Sequence, residues 1–305
     1  MKITIGTRGS KLALWQAHYV ADRLQRFGAT TEIKIIRTQG DKRQEVSIAE
    51  IGTRGVFTEE IEEQLRQRTI DIAVHSAKDL QSELSEAFEI VAFTEREQTN
   101  DVLVSHQSLP ALTPSSTWTI GTSSARRKAL LHHYYPHLKT VEMRGNLQTR
   151  IAKMEAGQCD ALMLAYAGVH RMNYESLIVH TFSQQQLIPA VGQGSVAVEV
   201  LRGLDEEKKA LVRRAISHEA TARQLRAERA YLKTLRGGCS IPVFALARPE
   251  GARIRLEGGV VSLDGQQLVV DWVDGLPEEA EQIGEQLAQK ILAQDGEKIL
   301  AEIRA

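Results

Sequence analysis

The chain has 305 residues, enough for two or three domains at about 100–200 residues each. Hydrophobic residues make up 42% and charged residues 25%, the balance of a folded globular protein rather than a disordered or fibrous one. The net charge of −1 excludes a global field that would draw the chain onto nucleic acid or an anionic membrane, so any attraction for anions is local.

The only cysteines, Cys159 and Cys239, are far apart, which excludes a disulfide framework and points to a reducing cytoplasm. No apolar run approaches the roughly 20 residues of a membrane span, and the segment Met1 to Arg8 lacks the apolar run of a secretory signal. His132 and His133 are adjacent rather than at helical spacing, and no Cys/His cluster has metal-ligand spacing, so no metal is expected.

In chain order, Thr4-Ile5-Gly6-Thr7-Arg8-Gly9-Ser10 reads as a short strand entering a polar loop. After it Leu14, Ala17, Ala21 and Leu24 share one face of a helix. Residues 59–79 read as a Glu-rich amphipathic helix, a strand from Asp71, and the loop His75-Ser76-Ala77-Lys78-Asp79. Thr119-Ile120-Gly121-Thr122-Ser123-Ser124-Ala125-Arg126-Arg127 then repeats the first pattern. Residues 147–171 repeat the second: a helix, Asp160, an apolar strand and the loop Tyr166-Ala167-Gly168. The repeated order argues two similar α/β lobes enclosing a cleft, with ligands beyond the carboxyl ends of the strands. Pro189-Ala190-Val191-Gly192-Gln193-Gly194 reads as a return crossing between the lobes.

The last third has another texture. Ser217 is expected to cap a helix running to about Leu235, with Gly237 and Gly238 as its stop. Residues 253–261 and 267–273 read as strands around the turn Asp264-Gly265. Pro277 opens a helix with Ala280, Ile283, Leu287 and Ile291 on one face. This is a small α+β third domain.

Each Gly-Thr-Ser segment places backbone N–H groups and hydroxyls at a helix start, where the orphan donors and the helix dipole favour an anion. Arg8, Arg126 and Arg127 stand in these segments, and Arg144, Arg150 and Arg171 follow at other strand-end loops. The guanidinium fork takes carboxylates bidentately, and the set falls at topologically equivalent places, which implies a polyanionic ligand. There is no Walker loop and no G-x-G-x-x-G after a strand, so carboxylates suit as well as phosphates. Asp79, at a strand end beside Lys78, either orients a proton donor and stabilises a developing cation or simply caps and pairs locally. Cys239, after two glycines in a loop, is either a nucleophile presented to the cleft or a small buried apolar residue. Cys159, before an apolar strand, reads as structural. A two-lobed binding protein without chemistry is the competing reading, but it leaves Cys239 and Asp79 together without a role.

Taken together, the stretches Thr7 to Gln16, Asp71 to Asp79, Gly121 to Arg127, Arg144-Gly145-Asn146, Pro189 to Gly194 and Gly237-Gly238-Cys239 resemble the hydroxymethylbilane synthase (porphobilinogen deaminase) family, in its order and over nearly the whole chain. The resemblance implies an α/β fold of two periplasmic-binding-protein-like lobes with a central cleft plus a small α+β third domain. The expected ranges are 1–95 with 195–213, then 99–190, then 217–305. It implies a dipyrromethane cofactor joined to Cys239 by a thioether, and the joining of four porphobilinogen units with loss of ammonia. Asp79 is then the catalytic carboxylate. Arg8, Ser10, Gln16, Lys78, Thr122, Ser123, Ser124, Arg126, Arg127, Arg144, Arg150, Gly168, Arg171 and Gln193 hold cofactor and substrate. A cytoplasmic monomer is expected, with no nucleic-acid or membrane partner. Residues 42–57 match the family's lid, including Arg54 and Phe57. Here Glu50 stands where lysine is common, Arg54 replaces another lysine, Gln39 replaces a basic residue, and Leu80-Gln81 replaces an apolar-Pro pair.

Overall fold

The computed structural model describes residues 1–38, 58–238 and 240–305. Cys239, Arg54 and Phe57, with Gln39 and Glu50, lie outside the described residues. The chain forms two compact units, one of residues 1–97 and 194–222, the other of 98–193 and 223–305.

In chain order the first unit contributes β1 (Lys2–Thr7), α1 (Lys11–Arg26), β2 (Thr30–Ile35), α2 (Glu59–Arg66), β3 (Ile72–Ser76), a 3₁₀ turn (Ala77–Asp79) and β4 (Phe88–Phe93). The second unit supplies β5 (Asp101–Val104), β6 (Thr119–Gly121), α3 (Ala125–Tyr134), β7 (Lys139–Val141), α4 (Leu147–Glu155), β8 (Ala161–Ala165), α5 (Tyr166–Arg171) and β9 (Ile178–Thr181). The chain then re-enters the first unit with β10 (Val196–Leu201) and α6 (Glu206–Ile216). It closes with α7 (Glu219–Thr234), β11 (Val243–Glu250), β12 (Arg253–Val261), β13 (Leu268–Gly275), α8 (Ala280–Ile291) and α9 (Glu297–Arg304).

Two five-stranded sheets have one design. Their orders are β2-β1-β3-β10-β4 and β7-β6-β8-β5-β9. In each, the first three strands are parallel and the fourth is antiparallel to both its neighbours. The doubling extends to single bonds. The Asp71 carboxylate accepts from the Thr4 N–H at 2.8 Å, and Asp160 accepts from the Thr119 N–H at 2.7 Å. Ser10 caps the helix after β1 and Ser124 the helix after β6, the strands that stand second in their sheets. The repeat legible in the sequence is thus a repeat of topology.

Both faces of the first sheet are covered at its centre, so β3 and β10 are buried nearly throughout, while the edge strand β2 is largely polar and exposed. Ile3, Ile5, Ile72 and Val74 pack against Ala17, Val20, Ala21 and Leu24 of α1 and Val212 of α6. Ala73 and Phe88 pack on the other face against Ile61 and Leu65 of α2. The third sheet, β11-β12-β13, is an antiparallel meander within the second unit. Its inner face meets Tyr231, Ile283, Leu287 and Ile299 of the terminal helices. Phe244, Leu246 and Val261 instead join the cluster built on Leu130, Leu131 and Met163.

Two local expectations are corrected and one strand is added. Ser217 ends α6 rather than opening the next helix, because α6 was not read from the sequence. The His218 ring instead lies 2.9 Å from the Thr221 hydroxyl, at the start of α7. Strand β11 was also unread; paired with β12 over its whole length, it owes its state to that pairing. Finally, it is Arg236 that takes the left-handed conformation past α7, at φ 46°.

Helices α7 and α8 touch at Gly284, where an added Cβ would lie 2.2 Å from the Ala227 carbonyl oxygen. Gly284→Ala must push two backbones apart, and an overpacking cost of about 1–3 kcal/mol is expected. A thermal melt should show a lowered midpoint; an unchanged one would mean that the two helices adjust freely.

Candidate functional site

In the first unit the polar loops converge at the carboxyl ends of β1 and β3. Ser10 accepts the Ala13 N–H at 3.2 Å, which starts α1 and fixes the loop after β1. Gln16, one turn on, is buried and donates to the Ser76 hydroxyl at 2.8 Å. β3 then ends in the turn that carries Lys78 and Asp79, and the Ala77 N–H donates to the Ser195 carbonyl at 3.0 Å. A small pocket of about 60 Å³ opens here, lined by Arg8, Ser10, Gln16, Thr58, Ser76 and Asp79 among others. Asp79 is exposed, and Arg8 and Lys78 are half-buried. One cation, hydroxyls, an amide and one carboxylate therefore face a common space.

A larger groove of about 960 Å³ lies in the second unit, lined by residues such as Trp272, Asp274, Glu285 and Lys290. It holds none of the sequence-predicted site residues and brings no cluster of anion-binding groups together. The small pocket is the one with convergent chemistry.

In the second unit the Gly-Thr-Ser segment is engaged locally. Ser124 caps α3 through the Arg127 N–H, Ser123 donates to the Met143 carbonyl at 2.6 Å, and Thr122 accepts the Ser124 N–H at 3.3 Å. Arg144 bonds Glu142 at 3.2 Å and Arg150 bonds the Gly145 carbonyl at 2.8 Å, on either side of the Asn146 cap of α4. Gly168 and Arg171 lie in α5, directly after β8.

Arg126 and Arg127 are buried, at 5% and 6% exposure. Both bind Asp101, which is fully buried at the start of β5. Arg126 meets one carboxylate oxygen at 2.7 Å, and Arg127 reaches the other from Nε at 3.1 Å and Nη2 at 2.7 Å. Gln193 donates to that second oxygen at 3.0 Å, and to the Thr99 carbonyl. Burial alone would push the Asp101 carboxyl up, but the two guanidinium charges overcome it and hold it well below the ordinary range. Asp101 was missed in the sequence reading. Its only signal is an acidic residue heading an apolar strand.

Cys159 is buried, and burial pushes its thiol up to about 11. Almost no thiolate is present near neutral pH, so it is a packing residue, as its position suggested. Among the described residues, no group of His, Cys, Asp and Glu is placed to hold a metal ion, and no helix is long and apolar enough to cross a membrane.

A doubled framework of two five-stranded sheets, each with a capped helix start at a strand end, defines a mixed α/β protein. Residues 3–209 match the family model for the porphobilinogen deaminase dipyromethane cofactor binding domain, and residues 222–293 match that for the porphobilinogen deaminase C-terminal domain. The porphobilinogen deaminase of Desulfosudis oleivorans is 53% identical over 305 residues, spanning 100% of this chain and 98% of the relative. That of Cytophaga hutchinsonii is 54% identical over 302 residues, spanning 99% and 97%. Among solved structures, the Bordetella pertussis BvgS VFT2 domain shares 16% identity at a TM-score of 0.43, over 70% of this chain and 85% of that one. That likeness is too loose to bear on the site. The chain belongs to the porphobilinogen deaminase family, whose members are transferases of tetrapyrrole biosynthesis with a dipyrromethane cofactor.

The residues present fit that cofactor. Dipyrromethane carries carboxylate arms and pyrrole N–H groups. The pocket in the first unit offers Arg8 and hydroxyl donors to the former and the Asp79 carboxylate to the latter.

Proposed function

We propose that this chain joins four porphobilinogen molecules head to tail, with loss of ammonia, into hydroxymethylbilane for haem formation, on a dipyrromethane primer bound through a thioether to Cys239. The observation that carries this reading is Asp79 on a backbone-anchored turn, in a pocket shared with Arg8, Ser10, Gln16 and Ser76. When bound, the dipyrromethane supplies the pyrrole on which the chain is extended.

The protein's own residues do the rest. Asp79 accepts pyrrole N–H groups and offsets the positive charge that develops as the amine departs. Arg8, Lys78, Arg144, Arg150 and Arg171 hold acetate and propionate arms, with Ser10, Gln16, Thr122, Ser123, Ser124 and Gly168 completing the polar lining. Arg126 and Arg127 belong to that set and are paired with Asp101, which also accepts from Gln193. Cys239 acts as a thiolate toward an electrophilic pyrrole carbon and needs no catalytic triad. Arg54 and Phe57 belong to a lid. The chain divides functionally into 1–95 with 195–213, 99–190, and 217–305. It works as a cytoplasmic monomer with no nucleic-acid or membrane partner.

The decisive measurement is the intact mass of the denatured protein beside that of Cys239→Ser. The wild type, after exposure to porphobilinogen, is expected to exceed the bare chain by two pyrrole units, and the variant to match its bare chain. A wild type at the bare mass after that exposure overturns the reading.

A further inference from the structure

His75 lies just before the turn that carries Asp79, and it belongs to two environments at once. It lines the same pocket as Asp79, Arg8 and Ser10. It is also 6% exposed, and its Nε2 lies 3.1 Å from the Glu199 carboxylate, which is fully buried on β10. The sheet register explains the meeting: Glu199 pairs with Ala73 and Ala197 with His75, so Glu199 and His75 are diagonal neighbours on one face.

A carboxylate at zero exposure is costly unless it is answered by donors. Glu199 is answered sparingly: one oxygen faces His75 and the other, Oε1, is buried without a hydrogen-bond partner. Glu62 of α2 lies near enough to feel both Glu199 and His75. Burial and the charge of Glu199 push its carboxyl up towards the neutral form, and Gln81 donates to it at 3.4 Å. Among the described residues, the other charged groups around this space include Arg66 on α2, Arg8 after β1 and Asp79 itself. Packing alone does not call for such an arrangement, because an apolar pair would fill the same face at lower cost. Beyond the ladder that pairs β10 with β3, the residue before β10 holds the start of the turn, Ser195 on Ala77, and Glu199 holds His75, on either side of Ser76.

We propose that His75 and Glu199 are positioning residues for the condensation: their buried bond, with the Ser195–Ala77 bond, fixes the turn that aims the Asp79 carboxylate into the pocket. This rests on the assignment of Asp79 made above. A small misplacement of a charge-stabilising group lowers the chemical step more than it lowers ground-state binding.

The test is steady-state kinetics with porphobilinogen on His75→Ala, His75→Gln and Glu199→Met, each with a thermal melt. His75→Ala is expected to lose about ten- to a hundredfold in kcat with KM within about twofold. His75→Gln, which keeps a donor for Glu199, should recover most of that loss. Glu199→Met fills the volume but leaves the buried imidazole without its acceptor, so it should fold with a lowered melting midpoint and lose about tenfold in kcat with KM within about twofold at a temperature where it is fully folded. An unchanged kcat in Glu199→Met, or equal losses in His75→Ala and His75→Gln, would overturn the proposal. Wild-type protein that makes no product would instead overturn the assigned function, which separates the two failures.

Discussion

Asp79→Ala is expected to lower kcat by at least about a hundredfold while leaving the fold intact. The side chain is exposed, in a turn held by a backbone bond from Ala77 to Ser195, so its removal creates no cavity and strips no buried partner. Its stability cost should stay within about 0.5 kcal/mol, as for most surface substitutions. The loss therefore falls on the chemistry. Asp79→Asn separates charge from shape: it keeps the size and one acceptor oxygen but cannot offset developing positive charge, so it should fall nearly as far. Rapid-quench assay of ammonia release, beside circular dichroism of the same samples, checks both halves. Near-normal turnover in either variant would remove Asp79 from its assigned role.

Asp101→Ala is the counterpart, a stability effect away from the reacting groups. It would leave the Arg126 and Arg127 guanidiniums buried beside each other, each keeping one carbonyl, Ile188 and Met163 respectively, and would strip the Gln193 amide of one of its acceptors. Removing one partner of a buried ionic cluster costs about 3–5 kcal/mol, so a drop in melting midpoint of about 5–8 °C is expected. The same carboxylate imposes a pH dependence. Its pKa is depressed in the folded state, so the unfolded chain binds the proton more readily. The stability it contributes is complete above the unfolded value of about 3.9 and is lost as the pH falls below it towards the folded value. Denaturant melts from pH 6 to pH 3 should therefore show wild-type stability falling in acid, with a flatter profile in Asp101→Asn. Parallel profiles would mean that the folded carboxylate is not held down by its arginines.

Much of the fold was legible because its signals are local and periodic. The α1 stripe, the Ser10 and Ser124 caps, and the Asp-then-apolar-strand pattern at Asp71 and Asp160 all rest on chain neighbours, and the structure places them as a doubled sheet. The failures came where the deciding partner is remote. Strand β11 is recognisable only through its register with β12, and Ser217 ends a helix instead of starting one because α6 precedes it.

The site divides along the same line. The sequence by itself determined which residue types collect at strand ends, and the family they belong to, because turns and helix caps require particular side chains at particular offsets. Only the tertiary structure decided how those side chains are spent. Arg126 and Arg127, read as ligand clamps, turn inward onto Asp101, an acid 25 and 26 positions away. His75, read as part of a loop, is held by Glu199 from a strand 124 positions on. A buried charge must find its counter-charge wherever the packed sheet delivers one, and in an α/β fold the neighbouring strand comes from a distant part of the chain.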